Sequence, residues 1–298
     1  RRGGRHLGQA GQLDLGDPGL VARKSRNFYL AMAGVGAAIV LAVLLVRSGA
    51  LALPLTRVAQ SLGVVIVGLT VLYFIYLLVA GGHTSLEKRR LGVIFWLFLL
   101  VALFWSGFEQ AGSSLNLFAE RLTDRVMLGW EMPASWLQSV NSFFIILLAP
   151  VFGILWTSLA SRRANPSIPV KFGLGLLGLA MGFFVIAWGA ANATAEDGAS
   201  PAWLVVMYFL HTCGELAISP VGLSAMTKLA PRNRVGQMMG VWFVGAALGN
   251  LIAGLVAGTL GGMAPTDLFR TVALITGGVG LFALVVSPAI KRLMGDVE

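Results

Sequence analysis

Eight separate stretches of this sequence stay apolar for roughly twenty residues or more, near 28–46, 58–80, 92–118, 134–160, 172–190, 201–228, 236–258 and 268–290. A hydrocarbon layer about 30 Å thick is crossed by a helix of ~20 mostly apolar residues, because only a helix or a closed barrel satisfies its own backbone there. Composition agrees. Apolar residues make up 57% of 298 positions and charged residues only 12%, with a mean hydropathy of +0.81. Soluble domains carry about 25% charged residues, so a water-soluble fold of this size would lack the polar surface to cover itself. The fold class expected is an all-α membrane protein.

The net charge of +9 would elsewhere suggest a nucleic-acid partner. Its distribution excludes that reading. If the chain starts in the cytoplasm and each stretch crosses once, 17 of the 22 basic residues fall on the cytoplasmic side, among them Arg23, Arg89, Arg162, Lys171, Lys228 and Lys291. Only Arg47, Arg57, Arg121, Arg125 and Arg270 fall outside. Basic residues concentrate on the inner side of membranes, so the charge marks topology. The expectation is a multi-pass protein of the inner (plasma) membrane with both termini of this chain cytoplasmic. Residues 1–27 read as a basic, glycine-containing cytoplasmic connector without a cleavable signal. The first two spans form a hairpin over 28–80, turned by Gly49 and Pro54. Cys213 is the single cysteine and decides nothing about compartment.

Later spans carry polar and small residues in stripes, as helices do when they face one another or a watery cavity. Small-xxx-small spacing recurs at Gly178/Gly182, Gly236/Gly240, Gly245/Gly249 and Gly254/Gly258, and reads as close packing or flexing within one bundle. Pro150 and Pro220 lie inside spans, where each removes a helical hydrogen bond and should kink its helix, a geometry suited to a gate.

Two acidic residues out of thirteen lie deep in spans, Glu109 and Glu215. A charge at the bilayer centre costs from ~2.5 to above 10 kcal/mol, so such residues are usually kept for function. A buried carboxyl relieves the cost by taking up a proton, which makes it a natural proton carrier. Trp105, Glu109, Gly112, Ser113 and Asn116 share one helical face by i, i+4, i+7 spacing. His211, Glu215, Ser219 and Gly222 share a face of the sixth span, and Gln138 and Asn141 a face of the fourth. Carboxylate, amide carbonyl and hydroxyl groups converging on a cavity suit an ammonium group, which presents donors and no acceptor. His211 fits packing and proton partnership equally. Trp242, by depth alone, reads as an interfacial anchor. No Lys or Arg lies deep in any span, so either the ligand is a cation or the counter-charges sit elsewhere. No metal-ligand spacing or nucleophile–base pair suggests an enzyme or a metal site.

The motifs themselves are familiar. FWSGFEQAGSSLNLFA at 104–119 resembles the seventh helix of proton-dependent oligopeptide transporters (the POT/PTR family of the major facilitator superfamily). WLQSVNSFFIILLAPVFGILW at 136–156 resembles the eighth; GELAISPVGLSAMTKLAP at 214–231 and GQMMGVWF at 236–243 resemble the tenth and the start of the eleventh. The resemblance implies a C-terminal six-helix transporter bundle at 91–290 and a cytoplasmic tail at 291–298. The hairpin at 28–80 then matches in position the two extra helices that bacterial members insert between their halves. It further implies proton-coupled symport of di- and tripeptides, with no cofactor beyond the coupling proton and with membrane lipid and an oligopeptide as partners. Glu109 would couple the proton by pairing with a basic residue of the N-terminal bundle. Asn141 and Glu215 would hold the peptide amino terminus with Ser219 nearby, Trp242 would line a side-chain pocket, and the kinked helices with Pro220 and Gly222 would serve the inner gate. The family's N-terminal six-helix bundle, with its basic residues, is not represented, and the chain opens on Arg1 without an initiator Met. The expectation is a partial transporter that does not transport alone. The alternatives are a major-facilitator permease for a cationic drug or amino acid, or a non-transporting membrane subunit.

Overall fold

The computed structural model describes residues 18–49, 54–127, 129–193, 198–259 and 262–297. Eight helices in it are long and apolar enough to cross a membrane. The chain divides into two compact units, Arg1–Val58 and Ala59–Glu298.

The first unit holds helix α1 (Pro18–Arg47), so regular structure begins inside the stretch that the sequence reads as connector. Apolar side chains such as Phe28, Leu41 and Leu44 stay exposed on α1, which suits a helix solvated by lipid. Its end is a glycine stop: Gly49 has φ +73 and its N–H donates to the Val46 carbonyl.

In the second unit, α2 (Leu55–Ala80, from Ala59 onward) runs beside the third and eighth helices. Phe74 meets Phe95 edge-on at 5.0 Å, and the Tyr73 hydroxyl donates to Gln237 Oε1 at 2.6 Å. Helix α3 (Ser85–Phe108) opens on a capping box, where Thr84 and Glu87 satisfy each other's backbone N–H groups. It then breaks. A 3-10 turn at Glu109–Gly112 separates it from α4 (Ser114–Arg121), with Ser113 at φ −132, ψ −96. Gln110, only 1% exposed, holds the break. Its Oε1 accepts from Ser114 Oγ at 2.8 Å and Ser113 Oγ at 3.2 Å, and its Nε2 donates to the Ala253 carbonyl at 3.4 Å.

A short hairpin of β1 (Val126–Met127) and β2 (Trp130–Glu131), turning at Gly129 with φ +79, leads into α5 (Ala134–Ser161). Then follow α6 (Ile168–Ala191), α7 (Ala202–Leu229), α8 (Val235–Thr259) and α9 (Pro265–Met294). Helix α6 is the buried centre, packed between α7 and α9, while α3 packs on α8 and α5 lies along α7.

Glycine makes these crossings close. A Cβ on Gly178 would stand 3.2 Å from Gly214 Cα, and one on Gly173 3.1 Å from the Gly280 carbonyl. Gly245 and Gly249 meet Phe98 and Trp105 of α3, so two of the four small-xxx-small pairs serve packing within the unit. Gly236, Gly240, Gly254 and Gly258 have open space where a Cβ would go. Pro150, Pro220 and also Pro288 sit within helices. Helix α5 is the least covered: Leu137 is the one buried residue recorded along it. The fold is thus nearly all helical, as the hydropathy requires.

Candidate functional site

The polar residues of α5 and α7 meet where the two helices lie side by side. Asn141 Nδ2 donates to Glu215 Oε2 at 3.2 Å and to Thr212 Oγ1 at 3.0 Å. Thr212 in turn donates to the Tyr208 carbonyl at 2.7 Å, one turn back along α7. Thr212 is fixed as acceptor for the amide by spending its own proton on the backbone. Asn141 Oδ1 carries no donor among the described residues, and Ser219, one turn beyond Glu215, has a buried hydroxyl with no partner. The ring of atoms therefore offers carboxylate, amide and hydroxyl oxygens with spare acceptor capacity.

Glu109 stands on a different segment, at the end of α3. It sits half-buried at the helix break, where its backbone N–H caps α3 by reaching the Trp105 and Gly107 carbonyls. Its carboxylate accepts no hydrogen bond and makes no ion pair among the described residues. It lies within electrostatic reach of Glu215. No Lys, Arg or His among the described residues is ion-paired with either acidic group. Anions held together in a medium of low dielectric repel strongly unless a cation or a proton stands between them. This arrangement is built to receive positive charge.

The remaining expected site residues fall elsewhere. Gln138 Nε2 donates to Asn116 Oδ1 at 2.9 Å, joining α5 to α4. His211 is 1% exposed and turned toward α6: its Nε2 stands 3.1 Å from the Leu179 carbonyl and its ring 4.8 Å from that of Phe183. Of the two roles open to it in the sequence, the surroundings are those of packing. Trp242 is 3% exposed, seated over Gly222 and perpendicular to Phe172 at 6.3 Å between ring centres. Gly222 is therefore a seat for an indole ring. Pro150 and Pro220 are exposed, on α5 and on α7 one residue past Ser219. Trp105, expected to share the Glu109 stripe, packs against Gly249 of α8.

Thr212 was missed by the sequence reading. It lies three residues before Glu215, a helical neighbour like His211 at four, and the preference for the titratable residue hid it. Among the described residues no group of His, Cys, Asp and Glu is arranged to hold a metal ion.

Comparisons with known proteins agree with this architecture. Residues 40–266 match the model described as the POT family. The peptide transporter YePEPT of Yersinia enterocolitica is 42% identical over 269 residues, covering 88% of this chain and 52% of that protein. A di-/tripeptide transporter of Lactococcus lactis subsp. cremoris is 30% identical over 282 residues, covering 93% and 56%. The crystal structure of a peptide transporter POT in complex with sulfate superposes with a TM-score of 0.80 at 32% identity, over 92% of this chain and 55% of that one. A POT family transporter in complex with a thioalcohol conjugated peptide gives 0.79 at 30%, over 90% and 55%. The chain spans about half the length of these relatives. The all-helical, multi-pass membrane fold expected from hydropathy is borne out, and with the match across residues 40–266 the chain belongs to the POT family of transporters.

Proposed function

We propose that this chain supplies the acidic half of a proton-coupled symporter for di- and tripeptides. The observation that carries the reading is the two carboxylates, Glu215 tied to Asn141 and Glu109 untied, with no cation ion-paired to either among the described residues. An α-ammonium group has three N–H donors and one charge, and it fits the oxygens of Glu215, Asn141 and Ser219. The names of the relatives, peptide transporters from several bacteria, support a peptide as the source of that ammonium.

In this reading Glu109 carries the coupling proton. With a proton it is neutral and tolerated next to Glu215. Without one it seeks a basic partner, which comes from residues outside this chain, the relatives being about twice as long. Alternation between the two pairings changes which face of the protein closes, and the site lies near the middle of the spans, as in other transporters of this kind. The peptide carboxylate is bound by the same outside residues. Pro220, beside Ser219 on α7, and Pro150 on α5 provide the flexing that opens one end, while Trp242, locked over Gly222, backs the cavity wall. Both termini of this chain lie in the cytoplasm, on the side rich in Arg and Lys. No cofactor is needed beyond the proton.

Proteoliposomes containing the full-length protein test this. Dipeptide uptake should rise when the exterior is acidified and collapse with a protonophore. Uptake indifferent to the gradient, or export of a cationic drug in the opposite sense, would replace peptide symport with another permease activity.

A further inference from the structure

At the other end of α7 from Tyr208 lies an open cavity of about 210 Å³, lined by Trp156, Asn165, Lys171, Pro220, Ser224 and Lys228 among others. Its wall starts at Pro220, next to Ser219, and extends away from the Asn141–Glu215 pair to Ser224, nine residues past Glu215 and about 13 Å along the helix.

Lys171 is the unusual member. It is 6% exposed and lies in the first turn of α6. Its Nζ stands 4.3 Å from the centre of the Trp156 ring, and it forms no hydrogen bond or ion pair among the described residues. Lysines are almost never this buried without an anion, and an aromatic face replaces only part of the lost hydration. Lys228, in the last turn of α7, is within electrostatic reach of Lys171 and adds positive charge. The Trp156 indole N–H is buried with no acceptor. Helix α6 starts at this cavity, and its N-cap Ser167 makes no side-chain capping bond; Pro169 has no N–H and the Lys171 N–H donates to the Ser167 carbonyl, which leaves the Ile168 and Val170 amides for an anion.

We propose that this cavity binds a single phosphate group, gripped by Lys171 and flanked by Lys228, Asn165 and Ser224. A group with several anionic oxygens satisfies the Lys171 ammonium and a helix N-terminus together, with Lys228 adding positive charge beside them. Two sources offer it, an anionic phospholipid headgroup and free phosphate, and basic pockets between transmembrane helices are known to suit the former. Because Pro220 forms part of the wall, the occupant touches the same helix that carries Glu215.

The test uses the purified full-length protein in nanodiscs of neutral lipid. Thermal stability is followed while phosphatidylglycerol, or separately inorganic phosphate, is added. A stabilisation that saturates, and whose half-point moves about tenfold in Lys171→Met as expected for one lost charge-assisted contact, supports the site. Lys171→Arg should retain most of the response. Lys228→Gln, at an exposed position that leaves the core untouched, should weaken it without unfolding the protein. A response to phosphatidylglycerol alone assigns the headgroup, and an equal response to inorganic phosphate assigns the free ion. If neither ligand gives a shift that depends on Lys171 and Lys228, the proposal is overturned.

Discussion

The amide of Asn141 bridges two helices by donating to Glu215 Oε2 at 3.2 Å, so the one carboxylate in the middle of α7 is held by a neutral donor and not by a cation. A permanent salt bridge would saturate the carboxylate. An amide orients it and leaves its charge available.

Removing that donor should loosen the site. In Asn141→Leu, Glu215 loses its one hydrogen-bond donor among the described residues and Thr212 loses the Asn141 contact. A hydrogen bond to a charged group contributes about 1.5–3 kcal/mol, so dipeptide affinity should fall roughly ten- to a hundredfold. Calorimetric titration measures it. Thr212→Val, which keeps shape but removes the second acceptor, should have a smaller effect in the same direction.

Glu109 should separate coupling from transport. Glu109→Gln imitates the protonated carboxyl permanently, so uptake driven by a proton gradient should be lost while exchange of peptide across the membrane continues. Measuring both in the same vesicles distinguishes the roles. Loss of both would make Glu109 a structural residue of the helix break.

Helix packing makes a prediction free of any function. A Cβ at Gly249 would stand 2.6 Å from Trp105 Cβ and 2.7 Å from the Ala102 carbonyl, and backbone cannot step aside. Gly249→Ala should therefore destabilise by about 1–3 kcal/mol, the usual range for overpacking. Gly254→Ala, one turn and a half further along α8, meets open space. It should be neutral or stabilising by up to ~1 kcal/mol through helix propensity. Thermal unfolding in detergent compares the two.

At the start of α3, Thr84→Ala removes half of the capping box with Glu87 and should cost about 1 kcal/mol. The same melts record it.

Much of this was legible in the sequence because hydropathy acts over twenty residues at a time. Most spans came out within a few residues, although α1 begins at Pro18 and α3 at Ser85, ahead of the expected stretches. Asn141 and Glu215 were read as converging on one cavity because amide and carboxylate oxygens there suit an ammonium group. What was hidden depends on local geometry. The stripe from Trp105 to Asn116 assumes a continuous helix, but Gln110 uses its side chain to bind Ser113 and Ser114 and breaks the phase after Glu109. Asn116 ends facing Gln138, and Trp105 faces α8. His211 and Glu215 share a helical face in projection, yet the absence of a Cβ at Gly182 opens a slot in α6 that the imidazole occupies. Trp242 likewise fills the space left by Gly222. Small residues on one helix decide where large ones on another point, and periodicity within a single helix does not contain that information.

The central claim is that Glu215 exists to meet a positive charge on the ligand. The direct measurement is the affinity of one dipeptide and of its N-acetylated form for the full-length protein and for Glu215→Gln. The account predicts that the native protein prefers the free amine by about a hundredfold, the scale of a partly buried charge-assisted contact, and that Glu215→Gln erases most of this preference by weakening only the free peptide. Equal binding of both forms to the native protein, or an unchanged preference in the variant, would contradict it.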